Sequence, residues 1–330
     1  MTSSPTADVA SSAPETRTPP APGRPGRGRG GGVPNRQSWR AWLLLAPGLA
    51  TLAVLLLYPL FRVTQLSFQD FGLRELNLGG AAWIGLDNYQ QLLEDERLWE
   101  IVLPNTVVFA VVNVALTVIF GTLVALLLFR LGPWMRGIVT TAIMAAWAVP
   151  AVTGTYAWVF IFDSRRGPAM RLMDWLGLAD PDTTNWFDDR LTFFAIATIN
   201  VVHHGFPFVA VTVLAGLMTV PKDVVEAATI DGANAWRRFW HITFPTLKPV
   251  FAVVTILSTI WDFKVFTQIY LMPGGDGLNR EVLNLGTWSY ITSFGQQEYG
   301  LGASLAVMLT AVLLVITVLY LRVIFREEEL

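Results

Sequence analysis

Long apolar runs alternate along the chain with shorter stretches that carry its charges. Six runs are long enough to cross a hydrocarbon core, which takes about 20 mostly apolar residues in a helix. They are residues 41–61, 104–129, 137–162, 191–219, 250–271 and 301–325. Each is continuously apolar and far longer than the roughly ten alternating residues of a membrane strand, so the pattern predicts helices and not a barrel. The expected class is an all-α polytopic membrane protein with six transmembrane helices.

Finer signals sit inside this pattern. In the fourth run Asn200, His203 and His204 precede Gly205 and Pro207. Proline removes a backbone hydrogen bond, which predicts a kink or local unwinding there. After the first run, Ile84-Gly85-Leu86-Asp87-Asn88-Tyr89 followed by Leu92, Leu93 and Trp99 predicts a turn with an Asp or Asn cap. A short amphipathic helix at the outer interface should follow. Residues 1–38 are rich in Pro, Gly, Ser and Arg and show no apolar periodicity, so a disordered cytoplasmic tail is expected ahead of a membrane domain at 39–330.

Composition agrees with the pattern: 53% of residues are hydrophobic, 15% are charged, and the mean hydropathy is +0.48. Soluble domains carry about a quarter charged residues. The net charge of -2 matters less than where the charges sit. Arg17, Arg24, Arg27, Arg29, Arg36 and Arg40 precede the first run, Arg130 and Arg136 fill the second loop, and Lys222, Arg237, Arg238 and Lys248 occupy the fourth. The first loop is acidic, and the third has a basic start but carries Asp180, Asp182, Asp188 and Asp189. Both termini are therefore expected in the cytoplasm of a multi-pass cell-membrane protein. The Arg-Gly run at 24–32 reads as an orientation signal and not as a nucleic-acid contact. The absence of cysteine removes disulfides and thiolate metal sites.

The longest polar segment on that cytoplasmic side is residues 221–249, PKDVVEAATIDGANAWRRFWHITFPTLKP. Val224, Val225 and Ala228, then Trp236, Phe239 and Trp240, keep helical spacing on either side of Gly232. Two short helices meeting at a glycine turn are expected, the first started by Pro221 and Asp223 and the second stopped by Pro245 and Pro249. Charges at Glu226, Asp231, Arg237 and Arg238 beside an aromatic cluster suit docking on a partner or an interfacial hairpin. Polar groups within spans are costly and therefore suspected of function. In the fifth run Trp261, Lys264 and Gln268 share one helix face, while Thr255, Ser258 and Asp262 share another. A ring beside a donor and an amide suits a sugar, while Asp262 and Lys264 could equally pair between helices. Adjacent His203 and His204 diverge by about 100° on a helix, so no metal site is expected. One of them, taken as His203, is a candidate for the path with Asn200.

Glu226-Ala227-Ala228, Gly232, Ile242 and Pro245 resemble the EAA loop of permease subunits of binding-protein-dependent ABC importers. Ala215-Gly216-Leu217, Ile230-Asp231-Gly232-Ala233, Asn105-Thr106 and Gly274-Gly275 are similar to its sugar-importing branch, closest to the maltose-type first permease subunit. Phe244 departs from the usual Leu, and Asp276 stands where a Pro usually follows the paired glycines. Trp261 to Lys264 resembles actinobacterial uptake systems for β-linked disaccharides such as cellobiose or N-acetylated chitobiose.

The resemblance implies a six-span permease fold with a cytoplasmic coupling helix pair between spans 4 and 5. It implies as partners a second homologous permease subunit, two copies of an ABC ATPase, an extracytoplasmic sugar-binding protein, membrane lipid and a carbohydrate. It implies ATPase coupling through Glu226, Ala227, Ala228, Asp231, Gly232, Trp236, Phe239, Ile242 and Pro245, and a substrate path at Asn200, His203, Trp261, Asp262, Lys264 and Gln268. No G-x-x-x-x-G-K-[ST] loop is present, so ATP and Mg are expected on the partner, with no cofactor here. No nucleophile elbow or His-Glu-x-x-His helix points to an enzyme. An ion-coupled secondary transporter, with Asp262 and the histidines as ion sites, is the alternative, but it has no use for an EAA loop.

Overall fold

The computed structural model describes residues 38–274 and 279–328, so residues 1–37 of the tail, and Gly275 and Asp276, lie outside the described residues. The described residues divide into two units, one ending at Leu55 and one beginning at Leu56. In the first, helix α1 (Ser38–Leu52) runs into a π-helical turn, Ala53–Leu57. The apolar helix Trp42–Leu66 is long enough to span a membrane.

In the second unit α2 (Tyr58–Leu66) leads to a small two-stranded antiparallel ribbon, β1 (Gln69–Asp70) and β2 (Ala82–Trp83), which brackets α3 (Leu73–Leu78). Helix α4 (Asp87–Glu94) forms where the amphipathic helix is predicted, but its N-cap is Leu86 and no side chain caps it. Asn88 is buried instead and donates to the Ser67 and Gln69 carbonyls at 3.0 and 3.1 Å. Trp99 is exposed and donates to Leu93 O at 2.9 Å.

The long helices follow: α5 (Leu103–Arg130), α6 (Pro133–Trp147), α7 (Ala151–Ile161), α8 (Pro168–Trp175) and α9 (Arg190–Leu217). Then come α10 (Lys222–Ile230), α11 (Ala235–Arg238), α12 (Phe244–Phe263), α13 (Thr267–Leu271), α14 (Leu285–Tyr290) and α15 (Tyr299–Glu328). Among the described residues, five helical segments are long and apolar enough to cross a membrane, and α6 with α7 forms a sixth if the bent pair is one span.

Helices α5 and α9 form the centre. Arg190 reaches Asn105, Phe194 meets Phe109, Gly205 faces Thr117, and Val209 faces Gly121. Both numbers rise together, so the two helices run parallel. Lipid tails are as apolar as leucine, so such a pair is held by close packing and not by a hydrophobic driving force. A Cβ on Gly121 would lie 2.7 Å from the Val209 side chain, which shows how close the backbones come. Around this pair one apolar cluster gathers Phe109, Phe193 and Ile269, and another gathers Leu128, Val213 and Leu247.

Three expectations need correction. The third apolar run is two helices bent by 90° between Trp147 and Ala151. Pro150 donates no hydrogen bond and biases Val149 away from helical geometry, which breaks the ladder there. By contrast α9 stays an α-helix through Pro207, with no unwinding beside the histidines. Pro207 and its neighbours Val209 and Ala210 are buried, so packing holds the turn that the missing bond would loosen. Finally, Pro245 and Pro249 do not stop α11. It continues through a π-helical turn, Phe239–Thr243, into α12, whose second residue is Pro245. Substituting Gly121→Leu should destabilise the α5–α9 pair by about 1–3 kcal/mol through overpacking, seen as a lower thermal midpoint in detergent.

Candidate functional site

Backbone irregularity in a membrane segment is tolerated where protein or a water-filled cavity surrounds it. Helix α12 ends at Phe263, and the bonds Lys264 N to Trp261 O (3.1 Å) and Val265 N to Asp262 O (3.3 Å) tighten its last turn. The chain re-enters helix at Thr267, with Phe266 as N-cap. This break and the one at Pro150 meet at a single cavity of about 350 Å³. Trp147 and Ala151, flanking the first break, line it, as do His204 and Gly205 of α9 and residues 264–268 of the second break, with Trp261 and Asp262 just before them.

The cavity wall is polar in places and aromatic in others. Asp262 is buried, and its Oδ2 has no hydrogen-bond partner. Gln268 Nε2 donates to Asn200 Oδ1 at 3.2 Å, and both side chains are buried, while Asn200 Nδ2 is unpartnered. Trp261 is 42% exposed and packs edge-on against Phe208, centroids 5.0 Å apart. Lys264 is exposed, and no ion pair joins it to Asp262 among the described residues. An ammonium, an indole and the carboxyl-bearing turn at Asp262, all lining one cavity, offer hydrogen bonds and a stacking face to a polyhydroxylated ligand.

The single-helix picture of this face does not hold, because the break intervenes between Trp261 and Gln268. Trp261, Asp262, Lys264 and Gln268 nevertheless reach the same cavity. Asn200 reaches it only through Gln268. His203 does not line it: the imidazole is exposed, with Trp158 at 5.9 Å and Phe206 at 6.3 Å, and His204 takes the wall position. The two histidines point apart, as their spacing dictates. Among the described residues no group of three or more His, Asp or Glu is placed to hold a metal.

Above the cavity lies a junction that the sequence reading missed. Arg190 Nε and Nη2 donate to Asn105 Oδ1 at 3.1 and 2.6 Å, and Asn105 Nδ2 donates to the Glu281 and Leu283 carbonyls, both at 2.8 Å. Beside it Asp189 caps α9, and the bond from Thr192 N holds its carboxyl below the usual carboxylate range. The only signal in the sequence was a polar pair, Asn105-Thr106, opening an apolar run.

The polar hairpin is a separate feature. Helix α10 ends in a turn where Gly232 adopts φ +78°, and Asn234 caps α11 by accepting from Arg237 N at 2.9 Å. Arg238 Nη1 donates to Ala233 O at 2.5 Å and closes the turn. Glu226, Ala227, Asp231, Trp236 and Pro245 are exposed, while Ala228, Phe239 and Ile242 are half-buried. Ile230 is 87% and Trp236 70% exposed. Large apolar groups left open beside charges mark a surface shaped for contact.

Residues 117–327 match the family described as "Binding-protein-dependent transport system inner membrane component". The chain is 36% identical over 304 residues to the diacetylchitobiose uptake system permease protein DasB of Streptomyces coelicolor, covering 91% of this chain and 92% of that one. It is 30% identical to the trehalose/maltose transport system permease protein MalF of Thermococcus litoralis, covering 87% and 94%. Its fold is similar to a chain in the crystal structure of a bacterial ABC transporter involved in the import of the acidic polysaccharide alginate. There the TM-score is 0.75 at 20% identity, over 88% of this chain and 97% of that one.

A Cβ at Gly232 would meet nothing within 4 Å, so the constraint there is the backbone and not space. Gly232→Val should therefore cost about 1–2 kcal/mol in the hairpin, read as faster proteolysis within residues 222–238, whereas Gly232→Asn should recover much of the loss.

Proposed function

The chain belongs to the family of inner membrane components of binding-protein-dependent transport systems, and from that premise we propose that it is one permease subunit of an ATP-driven importer for a di- or oligosaccharide. It is a transport component and not an enzyme. The observation that carries the substrate reading is the cavity where two broken helices meet, with Trp261, Asp262, Lys264 and Gln268 on its wall. A saccharide presents C–H faces for an indole and hydroxyls for a carboxylate and an ammonium. Relatives named for diacetylchitobiose and for trehalose and maltose favour a disaccharide-sized cargo, and their likeness supports reading the chain as the maltose-type first subunit of a permease pair.

Six crossings complete this reading. Parallel α5 and α9 require the chain between them to return across the membrane, which α6 and α7 can do despite their bend. Both termini and the hairpin at 222–238 then face the cytoplasm, as the positive charges favour. There the hairpin couples to an ATPase, with Glu226 as the charged contact, Gly232 as the turn and Trp236 in the apolar contact. Because α11 flows into α12 without a stop, a push on the hairpin travels as a stiff displacement toward the break at residues 264–266. A second permease subunit, two ATPase copies and an extracytoplasmic binding protein complete the machine. ATP and Mg act on the ATPase.

The test is uptake of labelled diacetylchitobiose, trehalose and maltose by vesicles holding the assembled importer. Trp261→Ala should lower uptake of the preferred sugar about fivefold, the loss of roughly 1 kcal/mol of aromatic contact. Glu226→Lys and Gly232→Pro should separate ATP hydrolysis from uptake. Normal uptake with normal substrate-stimulated hydrolysis in both variants would sink the coupling assignment.

A further inference from the structure

The segment leading into α14 carries a residue whose chemistry exceeds its local task. Asn284 is 2% exposed and is the N-cap of α14. Its Oδ1 accepts from Thr287 N and from Thr287 Oγ1, both at 2.8 Å, which is all that a cap requires. Asp and Ser cap helices as well as Asn does, because only an acceptor is needed. Asn adds a donor, and here Nδ2 donates at 2.6 Å to Val265 O, the carbonyl in the break between α12 and α13. That carbonyl lies just ahead of the first intrahelical acceptor of α13, since Tyr270 N bonds Phe266 O at 2.9 Å. Val265 itself lines the cavity.

The same segment is clamped on its other side. Leu283 O, one residue earlier, takes Asn105 Nδ2, and Asn105 Oδ1 is gripped by Arg190. Leu285 N, one residue later, donates to Thr106 Oγ1 at 3.0 Å. Hydrogen bonds thus run without interruption from the first turns of α5 and α9, through residues 283–285, to the broken turn that shapes the cavity. Val265 also packs against the apolar cluster that Phe109 of α5 and Phe193 and Ile196 of α9 build, but its carbonyl is tied to residues 283–285 by the Asn284 amide.

We propose that Asn284 is a positioning residue for substrate passage: its amide fixes the break at residues 264–266 to the leading ends of α5 and α9, and so sets the access of the cavity. The assignment rests on reading that cavity as the substrate path, but its test does not depend on any sugar.

The chain has no cysteine, so a single Thr267→Cys substitution places one thiol on the cavity wall. Its rate of reaction with N-ethylmaleimide in membranes holding the assembled importer reads cavity access directly. Asn284→Asp and Asn284→Ser keep a capping oxygen and lose the amide donor, while Asn284→Ala loses both. The proposal expects all three to change the Thr267→Cys labelling rate at least threefold, with labelling of a Trp134→Cys control, on an exposed side chain of α6, unchanged. A role in capping alone predicts that the Asp and Ser variants label like the parent and only the Ala variant departs. That result would overturn the proposal, as would equal changes at Trp134→Cys, which would mean general loosening. If no sugar in the panel is taken up while the labelling shift is found, the carbohydrate reading fails and the positioning role stands.

Discussion

Inside hydrocarbon a backbone amide or carbonyl without a partner costs several kcal/mol, so a helix can break there only where something else supplies the bond. This chain breaks two helices, at Pro150 and at residues 264–266, and brings both breaks to one cavity. Much of the remaining structure serves that arrangement. The parallel pair α5 and α9 gives a rigid wall against which the broken helices lean. A buried amide from a distant segment satisfies the carbonyl at the second break. Among the buried polar atoms left without a partner, Asp262 Oδ2 and Asn200 Nδ2 belong to side chains at or beside the cavity.

The same constraint explains how motion can pass from the hairpin to the cavity. An interface that must transmit displacement needs stiff elements with few alternatives. Between Ala235 and Phe263 the helix is continuous apart from a π-helical turn, and prolines that would end a helix elsewhere are absorbed in it. The hairpin therefore sits at one end of a lever whose other end is the break beside Trp261 and Lys264. On the cytoplasmic placement proposed for the hairpin, energy from a bound ATPase would arrive where the path can open or close. At that end Ile230, Trp236 and the charge of Glu226 are exposed.

Family membership and cavity chemistry divide the question of function between them. The match over residues 117–327 establishes a transport permease. What it carries is argued from the wall of the cavity and from the cargo named for its relatives. The wall is mixed, with an indole, an acid and an amine at one cavity, and this is the composition that a neutral, hydroxyl-rich molecule can use from several sides.

Spans and hairpin were legible in the sequence because each rests on local physics. Apolar length sets a membrane helix, and the turn at Gly232 follows from a backbone that only glycine adopts without strain. Trp261, Asp262, Lys264 and Gln268 were found because polarity within an apolar run is conspicuous wherever it falls. Other features depend on residues far apart in sequence. Whether Pro150 or Pro207 breaks its helix was decided by packing, since both remove one hydrogen bond but only Pro207 lies in a helix pressed along its length against α5. His204 and not His203 reaches the cavity because the rotation of α9 is set by its contact with Thr117 and Gly121. Asn105 and Asn284 looked like ordinary polar residues until the fold brought the segment after the broken helix back beneath Arg190. Local sequence was enough to mark the long apolar helices and the turn of the polar hairpin, because each rests on neighbouring residues. Where those helices break and which side chains face the cavity depended on packing between distant segments, because an unpaired backbone group is tolerated only where a distant residue answers it.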